Sequence, residues 1–246
     1  MSVLMDLLAY NTHYQAFHAN MLANEMFLDT TLLRASAVSH AKALGYLPTS
    51  MKASNALVTV TVKGVPITQT SLTMTAGSVF TTSVNDTSYQ FVTIADITGT
   101  NNGGSVPFDS TKIYEGTYVT SRYTVDTQDV EQRFLINEDR VDTRTLTVKV
   151  QNSSSDSTTT TYTLADDIAA VTSTSNVYFL QEVEDGKFEV YFGDGVLGKG
   201  LSDNNIVFLQ YVVSNKSEGN GATTFTSSGA IDGVTDVGVT TIQSSI

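Results

Sequence analysis

Residues 193–198 read Gly-Asp-Gly-Val-Leu-Gly, a letter-for-letter match to the G-x-G-x-x-G pattern of dinucleotide-binding loops. Such a loop holds a pyrophosphate only when a helix starts directly behind it, because the ligand sits on that helix's first free amides. Here Lys-Gly-Leu-Ser-Asp-Asn-Asn (199–205) comes next, and then an apolar run of strand length. Gly193, Asp194, Gly195 and Gly198 are therefore expected to build a structural loop between strands, with Asp194 capping its own turn. A calcium site joining Asp194 to Asp203 or Asp185 lacks EF-hand spacing.

The remaining chemistry-bearing residues are sparse. All three histidines, His13, His18 and His40, lie in the first 50 residues. His13 and His18 are five apart and share a helix face poorly, and no carboxylate pattern accompanies them. They are expected at the surface rather than on a metal. The pairs Asp126/Asp129 and Glu138/Asp139/Asp142 imitate a glycosidase dyad. Among 25 acidic residues such pairs arise by chance, and they are expected to be solvated. Residues 51–246 contain no His, Cys or Trp, which removes histidine bases, Ser-His-Asp triads and His-ligated metals from that stretch. No catalytic residue, cofactor or metal ligand is assigned, and no small-molecule substrate is expected.

Lys plus Arg number 13 and the formal net charge is −12, a poor basis for binding nucleic acid, which requires clustered cations. No apolar run approaches ~18 residues, so no membrane insertion is expected. The N-terminal MSVLMDLLAYN lacks a basic start and carries Asp6 within its apolar stretch, unlike a signal peptide.

The elements that carry these residues change along the chain. Over residues 3–28, Val3, Leu7, Tyr10, Tyr14, Phe17, Met21, Asn24 and Leu28 recur at alternating spacings of four and three, which is a heptad seam on a helix. Leu4, Leu8 and Leu22 widen it. Leu7, Tyr10, Tyr14, Phe17, Met21, Asn24 and Leu28 are the candidate protein interface. The other reading is an ordinary helix packed on its own chain, with Asn24 at a frayed end. Asp29-Thr30-Thr31 would cap a second helix running to about Leu44. Lys42 would lie in its last turn, Gly45 past its end and Pro48 beyond, completing a helical hairpin. Ala35, Ala37, Ala41 and Ala43 would allow the helices to approach closely.

From Asn55 the period becomes two. Val58, Val60 and Val62 alternate with Thr59 and Thr61, and about nine more short runs follow, with turn signals at Asn85-Asp86 and Asp185-Gly186. Ser and Thr make up 62 residues, only eight of them in the first 50, which suits strands with one wet face. The expected class is α+β, mainly β: an N-terminal helical hairpin followed by antiparallel β-sandwich-like domains. Gly99–Ser110 and the polar tract 152–161 are expected as loops or linkers. The division expected is 1–50 helical, 51–151 a first β domain, 152–226 a second β domain with the FGDGVLG loop, and 227–246 a strand-like tail or linker. That tail is expected to be mobile or loosely held on a β edge.

Residues 7–50, LLAYNTHYQAFHANMLANEMFLDTTLLRASAVSHAKALGYLPTS, resemble the N-terminus of baseplate wedge proteins of contractile-tailed bacteriophages, in the baseplate J-like group. EVEDGKFEVYFGDGVLGKGLSDNNIV (182–207), NGATTF (220–225) and MTAGSVF (74–80) resemble the same group's β region, and the likeness is weak over 96–175. The resemblance implies a late structural protein of the virion tail baseplate, assembled in the host cytoplasm. Its implied partners are other wedge proteins and a second copy of itself, six wedges closing a ring around the tail hub. The family continues beyond a point like Ile246, so the chain is expected to be an N-terminal portion or a short version. A receptor- or carbohydrate-binding β protein is the alternative, and a carboxylate-based hydrolase the third. The leading helix argues against the second and the His-free β body against the third.

Overall fold

The computed structural model describes residues 2–129, 132–183 and 186–246. Two helices lead, α1 (Ser2–Glu25) and α2 (Arg34–Ala43). Fifteen strands come after them among the described residues. The first six are β1 (Asn55–Lys63), β2 (Ser71–Met74), β3 (Val79–Val84), β4 (Thr87–Val92), β5 (Ile97–Thr100) and β6 (Ser105–Glu115). The next seven are β7 (Thr117–Thr124), β8 (Phe134–Ile136), β9 (Val141–Gln151), β10 (Thr159–Leu164), β11 (Val177–Glu182), β12 (Phe188–Phe192) and β13 (Ile206–Val213). The last two are β14 (Thr226–Ser227) and β15 (Val237–Gln243). All pairings are antiparallel except β10 with β11.

The first sheet runs β14-β3-β4-β6-β1-β15, with β2 and β5 forming a small separate ribbon. In β1 the period of two sends Val58, Val60 and Val62 into the core, against Phe80, Phe91, Val106 and Phe108 of neighbouring strands and Leu72 and Met74 of the ribbon. The second sheet runs β7-β13-β9-β10-β11-β12-β8. It curls until its two edges meet: the Tyr123 hydroxyl of β7 donates to the Leu135 carbonyl of β8, and the Tyr123 and Phe134 rings cross edge to face 5.7 Å apart. Val148, Leu180, Val190, Val207 and Leu209 fill the space enclosed.

Gly116 carries the chain from the first sheet to the second at φ +126°, and a Cβ there would lie 2.2 Å from the Val213 carbonyl oxygen. Ala53, Val92, Tyr114 and Val212 pack at the junction. Buried Asp142 accepts the Ala53 amide (2.9 Å) and pairs with Arg144. Buried Glu115 accepts the backbone and side-chain N–H groups of Asn215, both at 2.9 Å, and desolvation pushes its carboxyl above the ordinary range.

Several expectations change. Of Gly99–Ser110 only residues 101–104 form the turn. Residues 105–110 open the long strand β6, because Val106 and Phe108 alternate inward and register with Val62 and Val60. The polar tract 152–161 is the tip of the β9–β10 hairpin plus the start of β10, so the expected boundary at 151/152 falls inside one sheet. The tail is pinned rather than loose. Asp232 and Gly233 (φ +49° and +84°) make a turn that sends β15 back along β1, from Val62↔Val237 to Leu57↔Gln243. Ser245 is buried, and Ile246 and Asn55 exchange backbone hydrogen bonds. Asp142 is fully buried, not solvated, because its carboxylate holds a buried backbone amide. Glu184 and Asp185, and with Asp185 the first residue of the expected Asp185-Gly186 turn, lie outside the described residues.

Candidate interaction surface

α1 ends at Glu25, so Leu28 falls beyond it in the turn after the helix. At about 100° per residue, Val3, Leu7, Tyr10, Tyr14, Phe17 and Met21 share one side of the helix. Asn24 lies at the edge of that side, about 20° beyond Phe17. A straight helix drifts about 20° per heptad against a seven-residue repeat, and Asn24 turns toward the strip of Asp6, His13 and Asn20. Leu4, Leu8 and Leu22 occupy a neighbouring side. Leu7, Tyr10, Tyr14 and Phe17 are all more than half exposed, as are Leu4, Met5, Leu8 and Leu22. Tyr10 and Tyr14 stack at 6.2 Å, and His18 meets the Tyr14 ring edge-on at 4.3 Å. Leu4, Leu7, Leu8, Tyr10, Asn11 and Tyr14 line a shallow groove on this surface. A contiguous apolar surface of this extent is what an association site presents, since covering it removes apolar area from water. α1 is 24 residues long, yet no helix among the described residues is long and apolar enough to cross a membrane.

The two helices meet at a corner instead of packing along each other as a hairpin would. The expected cap at Asp29–Thr31 is displaced: α2 starts at Arg34 with Leu33 at its N-cap, which has no side-chain cap bond of its own. The carboxylate of Glu25 takes that place from the preceding helix. It accepts the amides of Leu32 (3.0 Å) and Leu33 (3.3 Å) and the hydroxyl of Thr31 (2.6 Å). Hydrogen bonds from Ser36, Thr31 and Leu32 hold its pKa down to about 2. His40 Nε2 lies 2.9 Å from the Glu25 carbonyl oxygen. At the far end of α2, Gly45 and Tyr46 donate to the carbonyls of Lys42 and Ala41, a Schellman closure. Arg34 makes a two-pronged pair with buried Glu182 (3.0 and 2.7 Å), fastening α2 to β11. Neither Glu25 nor the Arg34–Glu182 pair was legible in the sequence, since 148 positions separate Arg34 from Glu182 and Glu25 fits no capping pattern.

The Gly193–Gly198 loop is a closed turn. Asp194 Oδ1 accepts the amides of Val196 (2.9 Å) and Leu197 (3.1 Å), and these bonds hold its pKa below the ordinary range. A Cβ on Gly193 would lie 2.2 Å from the Leu197 carbonyl oxygen, while Gly195 sits at φ +87° with open space around it. The loop is tied to a neighbouring turn by Gly198 N–H to the Thr172 carbonyl and Lys199 N–H to the Ser175 carbonyl. Behind the loop the chain runs as coil into β13, and two of the amides nearest a would-be phosphate are already held by Asp194. Asp203 is engaged elsewhere, accepting the Thr127 amide. Among the described residues, no three His, Asp or Glu side chains gather closely enough to hold a metal ion. The acidic residues Asp126, Asp129, Glu138 and Asp139 are exposed.

A leading helix with an exposed apolar face thus precedes a β body whose buried carboxylates each have a structural partner. Residues 1–46 match the helical domain of gp6-like baseplate wedge proteins, and residues 120–224 match the third domain of the bacteriophage baseplate wedge protein gp6. Together the two matches cover more than half of the chain, which belongs to the baseplate wedge protein gp6 family. The chain is also 26% identical over 257 residues to baseplate wedge protein gp6 of Enterobacteria phage T4. That alignment takes in 97% of this chain and 38% of the relative's length. The first match ends at the Schellman closure of α2, on Tyr46. The second begins within β7 and runs unbroken through the 152–161 tract, covering much of the region where the sequence likeness is weakest to the eye.

Proposed function

We propose that the chain is a structural, non-enzymatic part of the phage tail baseplate wedge, built into the virion after assembly in the host cytoplasm. In this reading α1 is the element that joins it to other wedge proteins and to a second copy of itself, within the ring around the tail hub. The observation that carries the proposal is the exposure of Leu7, Tyr10, Tyr14 and Phe17 on a helix that stands apart from both sheets. Met21 lies on the same face, half-buried, while Asn24 and Leu28 border the surface rather than form its centre. The buried carboxylates support the non-enzymatic reading, because each has a structural partner: Asp142 with Arg144, Glu182 with Arg34, Glu189 with Arg133 and Glu115 with Asn215. The Gly193–Gly198 loop is proposed as a rigid connection with no ligand. Two β units are proposed, divided by sheet: β1 to β6 with β14 and β15, and β7 to β13.

Deleting residues 2–25 tests this directly. The body should keep its cooperative unfolding transition, and the truncated chain should fail to enter baseplates when it replaces the full chain during infection. Normal incorporation of the truncated chain would refute the assignment of α1.

A further inference from the structure

We propose that Glu25 is a positioning residue that fixes the direction in which α1 leaves the body, completing a two-carboxylate relay with Glu182. Among the described residues, the hydrogen bonds linking α1 to the chain beyond it all fall in its last turn. At that turn the Glu25 side chain spans the corner, alongside His40 of α2, whose Nε2 lies 2.9 Å from the Glu25 carbonyl oxygen. Glu25 Oε1 holds the Leu32 and Leu33 amides and Oε2 holds the Thr31 hydroxyl, so the end of α1 is tied to the residues that lead into α2. The next residue, Arg34, is clamped by Glu182 on β11, whose carboxylate is buried. The path from body to assembly helix is therefore Glu182, Arg34, the α2 start, Glu25 and α1.

Geometry makes this corner matter. Twenty-four residues of helix span about 36 Å, so a change of ~20° at the corner swings the far end by ~12 Å. The exposed seam can meet a fixed partner only if that swing is suppressed before contact, because ordering it on binding would cost affinity. The importance of the aim for assembly rests on the reading of α1 given above; the orientation itself does not, and it is measurable on the free chain.

The chain has no cysteine, so two introduced cysteines label cleanly. Nitroxides at Gln15→Cys on α1 and Thr120→Cys on β7, both exposed positions, report the angle by double electron–electron resonance. The intact chain should give one narrow distance distribution. Glu25→Ala should at least double its width with α1 still helical by circular dichroism, and Arg34→Ala should widen it similarly. Glu25→Gln, which keeps an oxygen acceptor, and Asp29→Ala, a neighbour outside the relay, should keep the narrow distribution. The inference is overturned by a Glu25→Ala or Arg34→Ala width equal to the parent's, by a parent distribution already broad, or by Asp29→Ala widening as much as Glu25→Ala. Loss of α1's helical signal in Glu25→Ala would also overturn it, since Glu25 would then hold the helix itself rather than its direction.

Discussion

Phe17→Asp should separate assembly from folding. In the free chain the Phe17 ring is 58% exposed and touches the edge of His18, 5.9 Å away, so nothing in the body depends on it. A phenylalanine presents roughly 200 Å² of surface, leaving about 115 Å² for a partner to cover. At about 25 cal/mol per Å², that area is worth about 3 kcal/mol on association, or roughly two orders of magnitude in affinity. Phe17→Ala should lose up to that amount. Phe17→Asp should lose more, because the seam would also have to bury an unpaired carboxylate, at a further cost of several kcal/mol. The unfolding free energy of the free chain should change by no more than about 0.5 kcal/mol for either variant, as for other solvent-facing substitutions. Sedimentation velocity on mixtures with the other wedge components reads the first effect, and urea denaturation of the free chain reads the second. Assembly by Phe17→Asp within about threefold of the parent would refute the seam, and so would a body destabilised by more than about 2 kcal/mol, which would mean that the ring packs on its own chain.

Asp142→Ala should destabilise the chain by about 2–4 kcal/mol in urea denaturation, because it strips the partner from Arg144 and leaves the Ala53 amide buried without an acceptor; a loss under about 1 kcal/mol would mean that the sheet junction does not rely on this pair. Glu189 is held below its ordinary pKa chiefly by Arg133, so its stabilisation is present above the unfolded value near 4.5 and is lost as pH falls through the folded value. Urea midpoints measured from pH 6 down to 3 should therefore fall more steeply for the parent than for Glu189→Gln, and parallel curves would contradict this. In the Gly193–Gly198 loop, Gly195→Ala should cost only about 1–2 kcal/mol of left-handed strain. Gly193→Ala should cost distinctly more, since its Cβ collides with backbone; thermal melts that rank the two the other way would show that the loop is not the closed turn described.

Much of the architecture was legible from periodicity. The alternation Val58, Val60, Val62 marks β1 and its buried face, and Asn85-Asp86 marks the β3–β4 turn, because both signals are local and need no partner. The apolar face of α1 was equally readable: side-chain type at helical spacing determines the face before any packing is known. Short strands such as β2 had too few residues to show a period. In β6, the Gly- and Asn-rich lead-in masked a strand whose inward residues Val106 and Phe108 acquire meaning only beside β1. For the same reason β15 looked like a loose tail, although its hold comes from β1 and from Asn55, almost two hundred residues away. The helix corner shows the limit most clearly. A Ser/Thr/Asp N-cap is a local rule, and Asp29–Thr31 satisfied it by residue type. The fold instead used a carboxylate from the preceding helix and an arginine clamp from a strand 148 positions away, and only the tertiary structure could decide that, because a cap goes to whichever acceptor the surrounding packing brings within reach of the free amides.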